Sequence, residues 1–156
     1  MIAQTLVGNG DLAWQYYRQI NPASSNDQIE RFECEPWVYP QNILGDEHPQ
    51  FGLARNSWLS GTASWVYQAA VKHILGVRPV HAGLQIDPCI PALWDGFEVT
   101  RRFRGARYLI RVRNPSHVCR GVRSITVDSR QIVGTVVPAK ADGADHVVDV
   151  ELGQEP

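Results

Sequence analysis

Two observations predict an α+β chain whose helices come first and whose antiparallel β-sandwich follows. Apolar residues recur at helical spacing up to about residue 77, and beyond it short runs alternate at strand spacing between turn residues. The division predicts one part over residues 1–77 and a second over 78–156. Two or three helices are too few to close a helical layer of their own, so the first part predicts further chain upstream.

Met1 to Val7 reads as the end of a helix, broken by Gly8-Asn9-Gly10, after which Asp11 can cap a second helix. In that helix Leu12, Ala13, Tyr16, Tyr17 and Ile20 recur at the spacing of a buried face, and Asn21-Pro22 ends it. Residues 23–56 show no sustained period and carry Pro36, Pro40, Gly45, Pro49 and Gly52. So long a loop is either functional or covers something. A third helix is predicted from about Ser57 to Leu75. Trp65, Val66, Ala69, Ala70, His73 and Ile74 form its inward stripe and Gly76 closes it.

Strands are predicted at 84–86, 97–101, 107–112, 124–127 and 147–150. Tyr108, Ile110 and Val112 alternate with Arg107, Leu109, Arg111 and Arg113, the pattern of a half-buried antiparallel strand. Their regular spacing is that of a β-sandwich. Asp128-Ser129 and Asp142-Gly143 suit turns, and the polar run 153–156 reads as a C-terminus.

A net charge of −1 offers no electrostatic footprint for nucleic acid or an anionic membrane, so neither is an expected partner. No apolar run is long enough to span a bilayer, and the first residues lack the features of a signal peptide, which fits a cytoplasmic protein. Cys34, Cys89 and Cys119 are odd in number and widely spaced, so they read as reduced structural thiols. Five tryptophans and five tyrosines suit a carbohydrate-handling surface, and equally an ordinary core.

The densest polar stretch runs from Gln41 to His48, followed by Gln50, Arg55, Asn56, Ser57, Ser60, Gly61 and Thr62 at the predicted head of the third helix. The first turn of a helix has unpaired N–H groups and the positive end of the dipole. Ser60, Gly61 and Thr62 there make a phosphate cradle, and the same residues also make a well-capped helix. Asp46, Glu47 and His48 lack metal-ligand spacing, so no metal is expected. Asp46, Glu47 or Glu35 has the chemistry of a general acid. Their plainer reading is a solvated turn braced by Arg55. There is no G-x-S-x-G elbow, and His73, His81, His117 and His146 sit singly, as structural or exposed residues do.

The runs 35–45 and 54–63, continuing through 74–79, 83–91, 97–101 and 103–106, resemble glycoside hydrolase family 94, which includes cellobiose, cellodextrin and chitobiose phosphorylases. The resemblance implies that the chain holds the final helices of an (α/α)6 barrel followed by the C-terminal antiparallel β-sandwich of a cytoplasmic homodimer. It places Ser60 and Gly61 at the family's phosphate-binding Thr-Gly pair, with serine replacing threonine, and Gln41 at a glutamine lining the donor sugar. It also implies that the general acid aspartate, a phosphate-binding arginine and a phosphate-binding histidine belong upstream of Met1, the histidine by only a few residues. No catalytic residue is therefore expected within the chain.

The reaction the resemblance implies is inverting phosphorolysis of a β-linked disaccharide such as cellobiose to α-glucose 1-phosphate. Inorganic phosphate is the co-substrate, with no metal or organic cofactor. Expected partners are a β-linked sugar, phosphate and the missing N-terminal part of the same enzyme. The alternatives are a non-catalytic carbohydrate-binding or structural module from a truncated gene, and a water-using glycoside hydrolase, which would need a second carboxylate.

Overall fold

The computed structural model describes residues 1–153, so Gln154, Glu155 and Pro156 of the expected C-terminal run lie outside the described residues. In chain order the elements are α1 (Ile2–Leu6), α2 (Gly10–Ile20), a 3-10 turn (Pro22–Gln28), α3 (Ile29–Phe32), β1 (Asn42–Ile43), β2 (Ala54–Arg55) and α4 (Thr62–Ala69). A π-helical turn (Ala70–Ile74) follows, and then β3 (Val77–Val80), β4 (Gly83–Ile86), β5 (Gly96–Phe103) and β6 (Ala106–Arg113). The last strands are β7 (Val122–Val127), β8 (Arg130–Ile132), β9 (Val136–Pro138) and β10 (Asp145–Leu152). The chain is thus α+β, with helices preceding most strands. Among the described residues no helix is long and apolar enough to cross a membrane.

Two units divide the chain, one of residues 1–14 with 70 onward and one of residues 15–69. The boundary expected at residue 77 falls inside the first. That unit holds a five-stranded sheet in the order β5-β6-β10-β7-β8 and a three-stranded sheet in the order β3-β4-β9. Along β6 the buried residues Ala106, Tyr108, Ile110 and Val112 alternate with more exposed ones, as the sequence pattern predicts. Val148, Val150 and Leu152 on β10, Ile125 on β7, Leu84 and Ile86 on β4 and Val137 on β9 complete an apolar core.

The antiparallel expectation is corrected by β10, which pairs parallel with β6, His146 opposite Tyr108, and antiparallel with β7. Alternation reports which face of a strand is buried but not the direction of its neighbour. A parallel pairing needs a long crossover, and residues 114–144, with β7, β8 and β9 inside them, supply it. Asp128-Ser129 forms the two-residue turn between β7 and β8, both residues in the left-handed region with φ of 49° and 67°.

The helices depart further from expectation. Asn9, rather than Asp11, caps α2, its Oδ1 accepting the Leu12 N–H at 3.1 Å. Asp11 instead accepts the Ala92 N–H at 3.1 Å. On α2 Ala13 is buried while Tyr16 and Ile20 are exposed, so only part of the predicted stripe faces inward. The predicted helix from Ser57 begins only at Thr62, because Asn56 and Trp58 adopt left-handed φ of 55° and 69°, which no right-handed helix accommodates. Its end is as predicted: the Leu75 N–H reaches the Ala70 carbonyl at 2.8 Å, and Gly76 turns the chain at φ 68°. Val66, Ala69 and Ile74 are buried but Trp65 is exposed, a correction to the predicted stripe.

Candidate functional site

The segment expected to be a long loop is organised by a minimal hairpin. β1 and β2 pair antiparallel with Asn42 opposite Arg55 and Ile43 opposite Ala54. The Gln41 N–H extends this pairing to the Arg55 carbonyl at 3.1 Å and the Asn56 carbonyl at 3.4 Å. Beneath it lies a small cluster of Phe32, Cys34, Val38 and Ala54. Arg31 braces the far end, its Nε donating to the Phe51 carbonyl at 2.9 Å and its guanidinium lying 4.4 Å over the Phe51 ring. Gly52 is required there. Its φ is 88° and a Cβ would meet Arg31 Nε at 2.4 Å.

Ser60 and Gly61 sit immediately before α4. The Ser60 hydroxyl donates to the Tyr39 carbonyl at 2.8 Å, and the Asn56 amide donates to Gln41 Oε1 at 3.2 Å. These bonds draw the chain around residue 60 and the chain around residue 56 onto the 39–41 strip, which brings all three sequence-singled residues to one part of the unit. A hydroxyl carries one proton, so Ser60 must turn from Tyr39 before it can donate to an anion. Gly61 is exposed with nothing within 4 Å of where a Cβ would stand, leaving its backbone open to a ligand. Its carbonyl accepts the Ser64 hydroxyl at 2.9 Å and the Trp65 N–H at 3.3 Å, which closes the first turn of α4. The N–H groups of that turn face outward from the helix start, the arrangement that favours an anion. Burial beside Tyr17 pushes the Tyr39 phenol up to about 12, so it stays protonated and can serve as a donor.

The acidic candidates separate clearly. Glu35 accepts the Trp58 indole N–H at 3.0 Å, and that bond holds its carboxyl below the usual value. A general acid needs the opposite shift, and the bond makes Glu35 a brace for the Trp58 turn. Asp46, Glu47 and His48 lie exposed in the turn after β1. Arg55 does not brace them as predicted. Its Nη2 donates to Gln50 Oε1 at 3.1 Å, since Arg55 stands on β2, near the return end of the same hairpin.

Of the histidines, His146 was missed by reading them singly. It joins Asp128, Lys140 and Asp142, whose sequence positions are too scattered to form a motif. Elsewhere, Arg120 and Arg78 both bind Asp87, at 2.7 and 3.2 Å. Burial pushes the Cys89 thiol up to about 11, away from reactivity. An open cleft of about 710 Å³ at the tip of the β5–β6 hairpin is lined by Arg102, Arg104, Arg107 and Asp145. Of these, Arg107 pairs with Asp145 and Arg104 donates to the His81 carbonyl.

Comparison with known proteins places this geometry in context. Residues 1–76 match the family described as the glycosyl hydrolase 94 superfamily, catalytic domain. The chain is 47% identical over 97% of its length to an N,N'-diacetylchitobiose phosphorylase of Vibrio proteolyticus, covering 19% of that protein. The chain belongs to glycoside hydrolase family 94. It is also 44% identical to an N,N'-diacetylchitobiose phosphorylase of Vibrio furnissii and 32% identical to a solabiose phosphorylase of Paenibacillus borealis, each over 97% of the chain, covering 19% and 20% of those proteins. This family 94 chain therefore spans about a fifth of the length of the curated relatives it matches. The family match ends at residue 76, one residue before β3 begins, so it takes in the hairpin, the Ser60-Gly61 pair and α4.

Proposed function

We propose that the chain is the C-terminal segment of a cytoplasmic, homodimeric inverting phosphorylase that cleaves a β-linked disaccharide with inorganic phosphate to give a sugar 1-phosphate. Residues 1–77 belong in this reading to the (α/α)6 catalytic barrel, and 78–156 to a C-terminal β-sandwich. Ser60 and Gly61 contribute to the phosphate site and Gln41 to the donor-sugar site. The observation that carries it is the convergence of these three residues on the 39–41 strip beside an open helix start, inside the stretch that matches family 94. The relatives at 47% and 44% identity make N,N'-diacetylchitobiose the first disaccharide to test, ahead of cellobiose.

The chemistry follows inverting logic. One carboxylic acid protonates the leaving glycosidic oxygen while phosphate, in place of an activated water, attacks the anomeric carbon from the opposite face. This segment's share is electrostatic: N–H groups of the α4 start, the Ser60 hydroxyl and the Gly61 backbone hold a dianion in line and offset part of its charge. Metal and organic cofactors have no step to perform in this scheme. In this reading the general acid comes from the rest of the enzyme, and the Trp58 bond that lowers the Glu35 carboxyl supports it.

Two measurements test the reading. The purified chain with disaccharide and phosphate should release no sugar 1-phosphate above a protein-free blank, and reproducible turnover would overturn the division of labour. In the longer enzyme, Ser60→Ala should weaken phosphate use by roughly tenfold to a hundredfold, the effect of one hydrogen bond to a charged ligand. Gly61→Val should weaken it further by filling the approach to the backbone. Preference among disaccharides should not move. If preference shifted while phosphate dependence stayed normal, the helix start would belong to sugar selection instead.

A further inference from the structure

The His146 ring sits at the start of β10 with its side chain 7% exposed, and both ring nitrogens face carboxylates. Nδ1 lies 2.8 Å from Asp128 Oδ2, in the β7–β8 turn, and Nε2 lies 3.1 Å from Asp142 Oδ1, in the segment before β10. A carboxylate oxygen only accepts, so both contacts are hydrogen bonds only when the ring carries two protons. From β6, Tyr108 stands against the ring at 5.5 Å and its hydroxyl accepts the Lys140 N–H at 2.8 Å. Lys140 Nζ donates to Asp128 Oδ2 at 2.8 Å and lies 3.3 Å from His146 Nδ1. Asp145, the neighbour on β10, is committed to Arg107. Around the ring there are therefore two carboxylates, one ammonium and the Tyr108 hydroxyl, a set that an imidazolium balances.

We propose that His146 is a pH-sensitive latch: as an imidazolium it fastens the β7–β8 turn to the start of β10, and on losing the Nδ1 proton it releases that turn. Lys140 decides which proton leaves. Once Nδ1 is bare it can accept from the Lys140 ammonium, while Nε2–H keeps its bond to Asp142, which also accepts the Ala144 N–H at 3.0 Å. The bare Nδ1 lone pair then faces Asp128 Oδ2 across 2.8 Å, and that contact becomes repulsive. What remains to hold the turn is the Lys140 bond to Asp128 Oδ2 at 2.8 Å, the pairing of Val127 with Val148, and the reciprocal pair between Asp128 and Val147, with the Val147 N–H on Asp128 Oδ1 at 3.0 Å and the Asp128 N–H on the Val147 carbonyl at 2.9 Å, so the release is a local loosening of the turn. The bonds to Asp128 and then Asp142 raise the His146 value above its ordinary 6.5, while Lys140 and then His146 hold Asp128 well below the usual carboxylate range. The sign follows. The latch is fully engaged below the unfolded histidine value and lost as pH rises through the raised folded value. Only far on the acid side do the carboxylates let go.

The test is NMR on the intact chain with ¹⁵N-labelled histidine, read together with amide exchange at Asp128 and Val147. Below the midpoint both His146 ring nitrogens should carry the shifts of an imidazolium. Across the midpoint, exchange at Val147 should accelerate by about tenfold beyond its intrinsic pH dependence, the loss of one charge-assisted bond. Asp142→Asn, a change at a half-exposed residue that leaves the fold intact, should move the ring's midpoint to lower pH. His146→Gln should abolish the step in exchange. A ring neutral at Nδ1 throughout, a midpoint unmoved in Asp142→Asn, or an exchange profile without a step would each overturn the proposal.

Discussion

The most deeply buried side chains, Tyr108, Leu84, Ile86, Ile110, Val148 and Asn114 among them, all belong to the unit that contains the two larger sheets, and none lies in residues 15–69. Residues 15–69 bury Phe32, Cys34, Val38 and Ala54 around a two-residue hairpin and leave Trp37, Trp58 and Trp65 exposed by 69%, 68% and 71%. The contrast is physical. A sheet with one apolar face completes its own core by facing a second sheet or the helices beside it, whereas a loop-rich unit held by hydrogen bonds to carbonyls has little apolar area to withdraw from water. These exposed aromatics flank, in sequence, the stretch that carries the candidate site.

Core truncation separates the two units most strongly. Ile110→Ala, at a fully buried position of β6, should cost about 2–5 kcal/mol in urea unfolding, the transfer term plus the cavity left behind. Trp65→Ala removes a larger side chain yet should change stability by no more than about 0.5 kcal/mol, because the indole is already in water. Equal costs for the two changes would break the comparison and mean that Trp65 is covered in solution.

That asymmetry also explains what the sequence made legible. All five predicted strands are present, because the alternation of Tyr108, Ile110 and Val112 with arginines records a buried face directly. The parallel entry of β10 was invisible, since direction depends on a crossover and leaves no trace in the alternation. In the other unit the helix start was misplaced by five residues' worth of turn. Asn56 and Trp58 take left-handed backbone that nothing in a tryptophan announces. The candidate residues Gln41, Ser60 and Gly61 were singled out through family resemblance, but the bond from Ser60 to Tyr39 was not legible, because hydrogen bonds to backbone carbonyls are blind to the identity of the residue that supplies them. His146 shows the converse: four ionisable residues spread over 128–146 form a cluster only once β7, β8 and β10 are assembled.

Glycine substitutions sharpen the comparison at a smaller scale. Gly76 has φ 68°, and a Cβ there would stand 2.1 Å from the Asp87 carbonyl oxygen, so Gly76→Ala should destabilise by at least the ~1–3 kcal/mol of a strained left-handed residue. Gly61, in the other unit, has open space around it, and Gly61→Ala should leave thermal unfolding within a degree or two, roughly the range of a compatible glycine replacement. Matched losses in Tm would show that the α4 start is as tightly enclosed as the turn into β3.

The smallest expected effect concerns the one charged bond that orders the exposed tryptophan beside the site. Trp58 donates to Glu35 at 3.0 Å, and that bond, followed by the backbone, lowers the carboxyl from its ordinary 4.5. A depressed carboxylate contributes stability that is present above its unfolded value and lost as pH falls through the folded one. The Trp58 turn should therefore stay ordered from neutral pH down past 4.5 and loosen only below the ordinary carboxylate range. Tryptophan emission, taken as the difference between the chain and Trp58→Phe, should report that transition, and Glu35→Gln should remove it while leaving the sheet core intact. Because Glu35 lies at the surface, the same substitution should shift overall stability little. A transition that persisted in Glu35→Gln would assign it to another carboxylate and free Trp58 from its brace. An ordinary midpoint near 4.5 would mean that the indole N–H bond is not kept in solution.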